Sequence, residues 1–285
     1  MAAAPTSPPL TKIVPDADAV RLAEWRDHLA ASPSSPPPAP RATVTRGGLV
    51  LVAEWGWAEP GEANSGERYA QLKAQLEAVA GEDLYVYPPH ATHVTIATLS
   101  NFKKADAPRG FSVDDATDAK VVEAWAAAIE RSLADAAPAV EPFTLEARRI
   151  ELSPGAAFLH FCDPSGTVER LRQLVAQARD EDQGLAAVVQ DYNAGKVDGD
   201  QAVRGAVHLP DIVHSSFARF VRAPPPGSEQ SEAAAVAAVA GKFNTIAASF
   251  EPFPVRITRL TLANECAPYM HQGREEGTVR TFVLK

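Results

Sequence analysis

Two apolar runs in this chain, His93–Leu99 and Ile212–Val221, carry the same short pattern in opposite halves of the sequence. In each, a histidine is followed two residues later by a hydroxyl: His93-Val94-Thr95 and His214-Ser215-Ser216. Short apolar runs of this kind read as buried strands. Side chains alternate faces along a strand, so residues i and i+2 point the same way. Each run therefore aims one imidazole and one hydroxyl at a common space. A fold that uses both must set the two strands facing one another around one ligand.

The sequence around these runs alternates between strand and helix patterns. Leu49–Trp55 is an apolar run broken only by Glu54 and bracketed by glycines, which predicts a central strand buried on both faces. Tyr69, Leu72, Leu76 and Val79 recur at helical spacing and predict an amphipathic helix over 65–80. Val122, Trp125, Ile129 and Leu133 mark a second helix, and Val168, Leu171, Leu174 and Val175 a third. Between them, Phe143–Leu152 and Ala157–Cys162 read as two strands joined by the turn Ser153-Pro154-Gly155. Asp191–Arg204 reads as a long polar surface loop, and Ala223–Gly227 as a Pro-rich one. Val236, Val239, Phe243 and Ile246 mark a fourth helix; Val255–Leu262 and Thr278–Leu284 are the last two strands. The recurrence of helix, histidine strand, helix and further strand predicts two similar α/β lobes with a central cleft.

Residues 1–42 differ in composition. Asp16–Ala31 has the pattern of one helix, with Val20, Leu22, Trp25 and Leu29 apolar. The Pro/Ser/Ala tract Ser32–Pro40 cannot pack as a helix or a central strand, and reads as a linker. The folded domain is expected over 43–285.

A chain of 285 residues is long enough to bury a sizeable core. Its net charge of −9 argues against a surface that holds long nucleic acid through its phosphates. A small nucleotide, or an RNA 3′ end in a local pocket, remains compatible with that charge. Cys162 and Cys266 have no metal-like spacing and read as reduced thiols of an intracellular protein. No apolar run reaches transmembrane length, and the N-terminus lacks the pattern of a signal peptide. The expectation is a cytoplasmic monomer without a membrane partner.

The paired motifs resemble the two-histidine (2H) phosphoesterase superfamily, which includes 2′-5′ RNA ligase-like proteins and cyclic nucleotide phosphodiesterases. The resemblance spans roughly residues 45–285. It rests on His93-Val94-Thr95, on the longer run His214-Ser215-Ser216-Phe217-Ala218-Arg219, on the strand-turn-strand Phe143–Leu159 and on Leu260–Tyr269. The chain departs from the family pattern in its N-terminal extension, its 191–210 loop and Thr98, where the family often has a basic residue. The resemblance implies a bilobal α+β fold and a phosphodiesterase that opens a 2′,3′-cyclic or related nucleotide cyclic phosphate. It implies His93 as general acid and His214 as general base, with Thr95, Ser216 and Arg219 binding substrate.

The chemistry of the residues is consistent with that expectation. Opening a cyclic phosphate needs a base for water and an acid for the leaving sugar oxygen, and histidine serves as either near neutrality. Hydroxyl donors can meet the charge that develops on the phosphoryl oxygens. No carboxylate-rich cluster suggests a metal, and no cofactor is called for. His90 and His93 are three apart, which in a strand places them on opposite faces rather than around one ion. His208 precedes the second motif strand, within reach of the same pocket, His160 shares a strand face with Phe158 and Cys162 that is either cleft or core, and His28 and His271 carry no signal. Trp55, Trp57, Tyr85, Tyr87 and Phe217 are candidates to stack on a base, against the ordinary role of core aromatics. Three other readings use the same residues: an RNA 3′-end exonuclease, a nucleotide-binding module without turnover, and a structural α/β protein with coincidental motifs.

Overall fold

The computed structural model describes residues 44–46, 48–55, 65–80, 84–100, 103–104, 115–152, 156–193, 207–220, 241–265 and 277–285. The expected helix at 16–31, the linker at 32–40, Trp57 and the turn at 153–155 lie outside the described residues.

The architecture is α+β, built on two antiparallel sheets. The first has the order β11–β10–β2–β4, from Thr278–Val283, Arg259–Glu265, Gly48–Glu54 and His93–Ser100. The second has the order β3–β8–β7–β6–β9, from Leu84–Val86, His214–Phe220, Ala157–Cys162, Phe143–Leu152 and Phe253–Ile257. A small ribbon pairs β1, Val44–Arg46, with β5, Lys103–Lys104. The helices are α1 Ser65–Ala80, α2 Asp115–Ala134, α3 Thr167–Glu181 and α4 Gln183–Asn193; residues 241–248 are also helical.

The first helix occupies the span that its spacing predicts, and the reason is visible in its buried face. Tyr69, Leu72 and Leu76 enter the core, and the Tyr69 hydroxyl donates to the Tyr87 carbonyl at 2.6 Å. Fully burying side chains of this kind contributes about 1.5–3 kcal/mol each. The Tyr87 amide in turn donates to the Phe217 carbonyl at 2.8 Å, extending the β3–β8 pairing. The α1 helix is thereby fixed against the strand that carries His214.

Helix α3 starts at Gly166, whose φ of 68° is a left-handed conformation that glycine adopts without a side-chain penalty. Asp163 caps the turn, its carboxylate accepting from the Val168 amide at 2.7 Å. Such caps typically contribute about 1 kcal/mol. Val168, Leu171, Val175 and Ala178 then face the core, and so does Arg172.

Two expectations are corrected. The run Val255–Leu262 is two strands rather than one: β9 lies at the edge of the second sheet and β10 inside the first. They part at Thr258, whose carbonyl accepts from the Leu284 amide at 2.9 Å. The polar stretch beginning at Asp191 starts as helix, because α4 runs through Asn193. Asp182 separates α3 from α4 and accepts from the Leu185 amide at 2.8 Å, which caps the new helix. Residues 194–206 lie outside the described residues.

Candidate active site

Strand β4 pairs with β2 in a register that puts His93 opposite Glu54, Thr95 opposite Val52 and Thr98 opposite Val50. Val94, Ile96, Ala97 and Leu99 belong to the main core, whereas His93, Thr95 and Thr98 are half-buried on the other face. The ladder slips at Ile96, between the Val52–Thr95 and Leu51–Ala97 pairs. An inserted residue of this kind is a β-bulge. It leaves Ile96 and Ala97 both buried and returns Thr98 to the face of Thr95. Val50, Val52 and Ala263, all buried, form a small separate apolar cluster on that second face.

The second motif strand is arranged in the same way. On β8, Ser215, Phe217 and Ala218 are buried, while His214 and Ser216 are half-buried on the opposite face. In the β7–β8 pair, His214 stands opposite His160, and Ser216 opposite Phe158. Across β6, His160 faces Arg149 and Phe158 faces Glu151. The open face of this sheet thus carries rows of His214–His160–Arg149 and Ser216–Phe158–Glu151.

The two histidine strands adjoin. His208, just before β8, exchanges backbone hydrogen bonds with Thr98 at 2.8 and 2.9 Å. Its exposed side chain is on the side of Thr98 by register. Burial pulls His93 below its ordinary value of 6.5, the Ala91 carbonyl opposes this, and His214 adds to the lowering. The His93 Nδ1 lies 2.9 Å from that Ala91 carbonyl, which fixes the proton there and leaves Nε2 for a ligand. His214 is also lowered, first by burial and then by His160, with Arg172 adding to the effect; Ile212 and Asp211 oppose it.

His160 belongs to this open face rather than to the core. Its Nε2 lies 3.1 Å from a Glu151 carboxylate oxygen, without the geometry of a full hydrogen bond. Burial lowers its pKa, Arg149 lowers it further, and Glu151 opposes both. Trp55, Tyr85, Tyr87 and Phe217 are each at most 2% exposed and offer no ring to a ligand. Among the described residues, Phe158 is a half-buried aromatic of this face, packed edge-on to His214 with centroids 5.1 Å apart.

Arg219 pairs through its backbone with Tyr85, and its side chain lies outside the described residues, as does that of His90. The His90 backbone is in the 3₁₀ turn Pro89–Ala91 that leads into β4, not in the strand itself. Cys162 is a free, exposed thiol, while Cys266, His28 and His271 lie outside the described residues. Among the described residues, no cluster of three or more metal-binding side chains is present, and no helix is long and apolar enough to cross a membrane.

Sequence reading missed two further features of the site. Arg259 and Glu54 form an ion pair at 3.7 Å on the His93 face of the first sheet, in the row of His93. The Thr261–Val52 pairing extends the Thr95 row; Thr261 is 1% exposed and its buried hydroxyl has no partner among the described residues. Glu54 was visible as the one charge in an apolar run.

No family model matches this chain, and no curated protein matches it. Solved structures similar to it include TT0787 of Thermus thermophilus, at 18% identity and a TM-score of 0.41, over 83% of this chain and 97% of that one. A conserved protein of unknown function from Agrobacterium tumefaciens, ATU0111, is similar at 12% identity and a TM-score of 0.39, over 84% of this chain and 86% of that one. The E. coli LigT structure complexed with 3′-AMP is similar at 13% identity and a TM-score of 0.34, over 85% of this chain and 96% of that one.

Proposed function

We propose that this protein is a phosphodiesterase that hydrolyses a 2′,3′-cyclic or related nucleotide cyclic phosphate to a monoester without a metal. The observation that carries this reading is that the two histidine strands meet at the Thr98–His208 bridge and present His93 and His214, one from each sheet, each with a hydroxyl two residues on along the same face. His214 takes a proton from water as its oxygen attacks phosphorus. His93 gives a proton to the sugar oxygen as its bond to phosphorus breaks. One water is consumed, one ester bond opens, and the two histidines end with their protonation states exchanged. Thr95 and Ser216 donate to the phosphoryl oxygens, where charge builds in the transition state. Arg219 is assigned to the substrate phosphate.

The acidic chain, with a net charge of −9, favours a small nucleotide or a single RNA 3′ end over a long duplex. The test is a panel of nucleoside 2′,3′-cyclic phosphates and cyclic-phosphate-ended RNA, with and without a strong chelator. Turnover to a monoester that survives chelation is expected. Absence of turnover across the panel, with ligand still bound, would replace the enzyme with a nucleotide-binding module.

A further inference from the structure

A buried arginine behind the two histidine strands is a cation that the proposed chemistry does not use. Arg172, on α3, is 4% exposed. Its guanidinium donates to backbone carbonyls of both motif segments. Nε donates to the Ile96 carbonyl at 3.4 Å, and one terminal nitrogen donates to the carbonyls of Thr95 at 3.4 Å and Ile212 at 2.9 Å. The first two carbonyls sit at the bulge of β4, and the third is two residues before His214. One planar fork thus spans the gap between the strands, as a rigid guanidinium can and a point-charge ammonium cannot.

The Ile212 carbonyl distinguishes the two histidines. Each has a carbonyl two residues upstream. That of Ala91 receives the His93 Nδ1 at 2.9 Å. That of Ile212 receives Arg172 at 2.9 Å as well as a weaker approach of the buried His214 Nδ1, which raises the His214 pKa without the geometry of a full hydrogen bond. A guanidinium at this place also disfavours a second positive charge on His214. The groups around Arg172 are Glu169 on its own helix, Asp211 before β8 and Asp163 after β7. Those around His214 are His160 on β7, Arg172, Asp211 and His93 on β4.

We propose that Arg172 is a positioning residue that sets the spacing of the two histidine strands and, by sharing the Ile212 carbonyl with His214, favours His214 as the proton acceptor of the pair. The inference rests on reading His93 and His214 as an acid/base pair. Arg172 touches neither substrate nor reacting atoms; it acts through the backbone.

The experiment compares the full-length protein with Arg172→Lys, Arg172→Met and Arg172→Gln. Histidine-ring NMR titration follows His93 and His214 without reference to activity, a crystal structure of Arg172→Lys gives the ring separation, and steady-state kinetics use adenosine 2′,3′-cyclic phosphate. The neutral variants should raise the His214 midpoint, because Nδ1 no longer shares the Ile212 carbonyl with a cation and a neighbouring positive charge is gone. Arg172→Lys should keep the midpoint low, separate the rings and lower kcat by ~10–100-fold with a smaller change in KM, the scale of a 1 Å misplacement. Rescue of kcat by lysine to within about twofold of the wild type would overturn the positioning role. So would an unmoved His214 midpoint in a folded neutral variant, an unchanged ring separation in the lysine variant, or failure of all three variants to fold, which would make Arg172 a stability residue only. A wild-type protein inactive on every cyclic phosphate would remove the proposed function, while the titration and the ring separation would still decide the role of Arg172.

Discussion

His160 stands directly across from His214 in the β7–β8 pair, and Phe158 packs edge-on to both rings, with centroids 5.1 Å from His214 and 6.4 Å from His160. This third imidazole sits in the open face and bears on the ionisation of the second. Replacing His160 with glutamine removes a charge that disfavours protonation of His214. The His214 titration midpoint should therefore rise. Ring NMR checks this, and a midpoint that stays in place would show that the two rings do not communicate.

His93→Ala and His214→Ala should each lower kcat by roughly 10²–10⁴-fold while the fold persists, the usual contribution of a general acid or base. Thr95→Ala and Ser216→Ala should cost less, about 10–10³-fold, the value of one donor to a developing oxyanion or below. Circular dichroism confirms folding and initial rates give the loss. Near-normal turnover by His93→Ala would remove it from the acid role.

The pH dependence of kcat/KM reports the free enzyme, in which one histidine must be charged and the other neutral. His93 and His214 are both lowered from 6.5, chiefly by burial. The bell should therefore centre on the acid side of 6.5. In kcat it should move upward, because a bound phosphate anion favours the charged imidazole. A bell centred well above neutrality would assign the titration to other groups.

Stability should depend on pH in the same region. A histidine whose folded pKa lies below its unfolded value of 6.5 binds fewer protons folded than unfolded. His93, His160 and His214 are all lowered, so their contribution is fully present above 6.5 and is lost as pH falls from there through the folded values. Denaturant midpoints measured on both sides of pH 6.5 should fall towards acid. The slope should flatten in a His93→Gln/His214→Gln double variant, and an equal slope would place the acid sensitivity elsewhere.

Removing residues 1–42 should leave kcat unchanged, since neither motif lies near them in sequence and the Pro/Ser/Ala tract cannot bury enough apolar area to offset its ordering entropy. Docking of Leu22, Trp25 and Leu29 on the domain would show as a lower melting temperature. A truncated protein that melts normally but has lost turnover would mean the extension completes the site.

The elements legible in the sequence were those whose periodicity is set by one buried face. Helix α1 and the β6–β7 pair have the bounds their patterns predict. The split between β9 and β10 was missed because their residues run on without a turn signal. The trace is a slip in alternation: Val255 and Ile257 are buried, then Leu260 and Leu262, so the phase changes at Thr258. Helix α4 was hidden by the polar stretch that follows it, although Leu185, Val188 and Val189 keep helical spacing. Arg172 falls on the apolar stripe of α3, four residues after Val168. A charge in such a stripe signals a buried partner, but the partners are carbonyls distant in sequence, which periodicity cannot name.

The passage of the chain through Thr258 has a consequence for how this protein can be divided. The strand β3 leaves the first sheet's sequence between β2 and β4 to pair in the second, and β9 hands the chain straight back to β10. The last two residues then stitch this junction, Leu284 to Thr258 and Lys285 to Val140. No single cut yields two halves that each hold a complete sheet. The two sheets are therefore expected to unfold together, and a chain cut at any one point should yield neither sheet as a separately folding module.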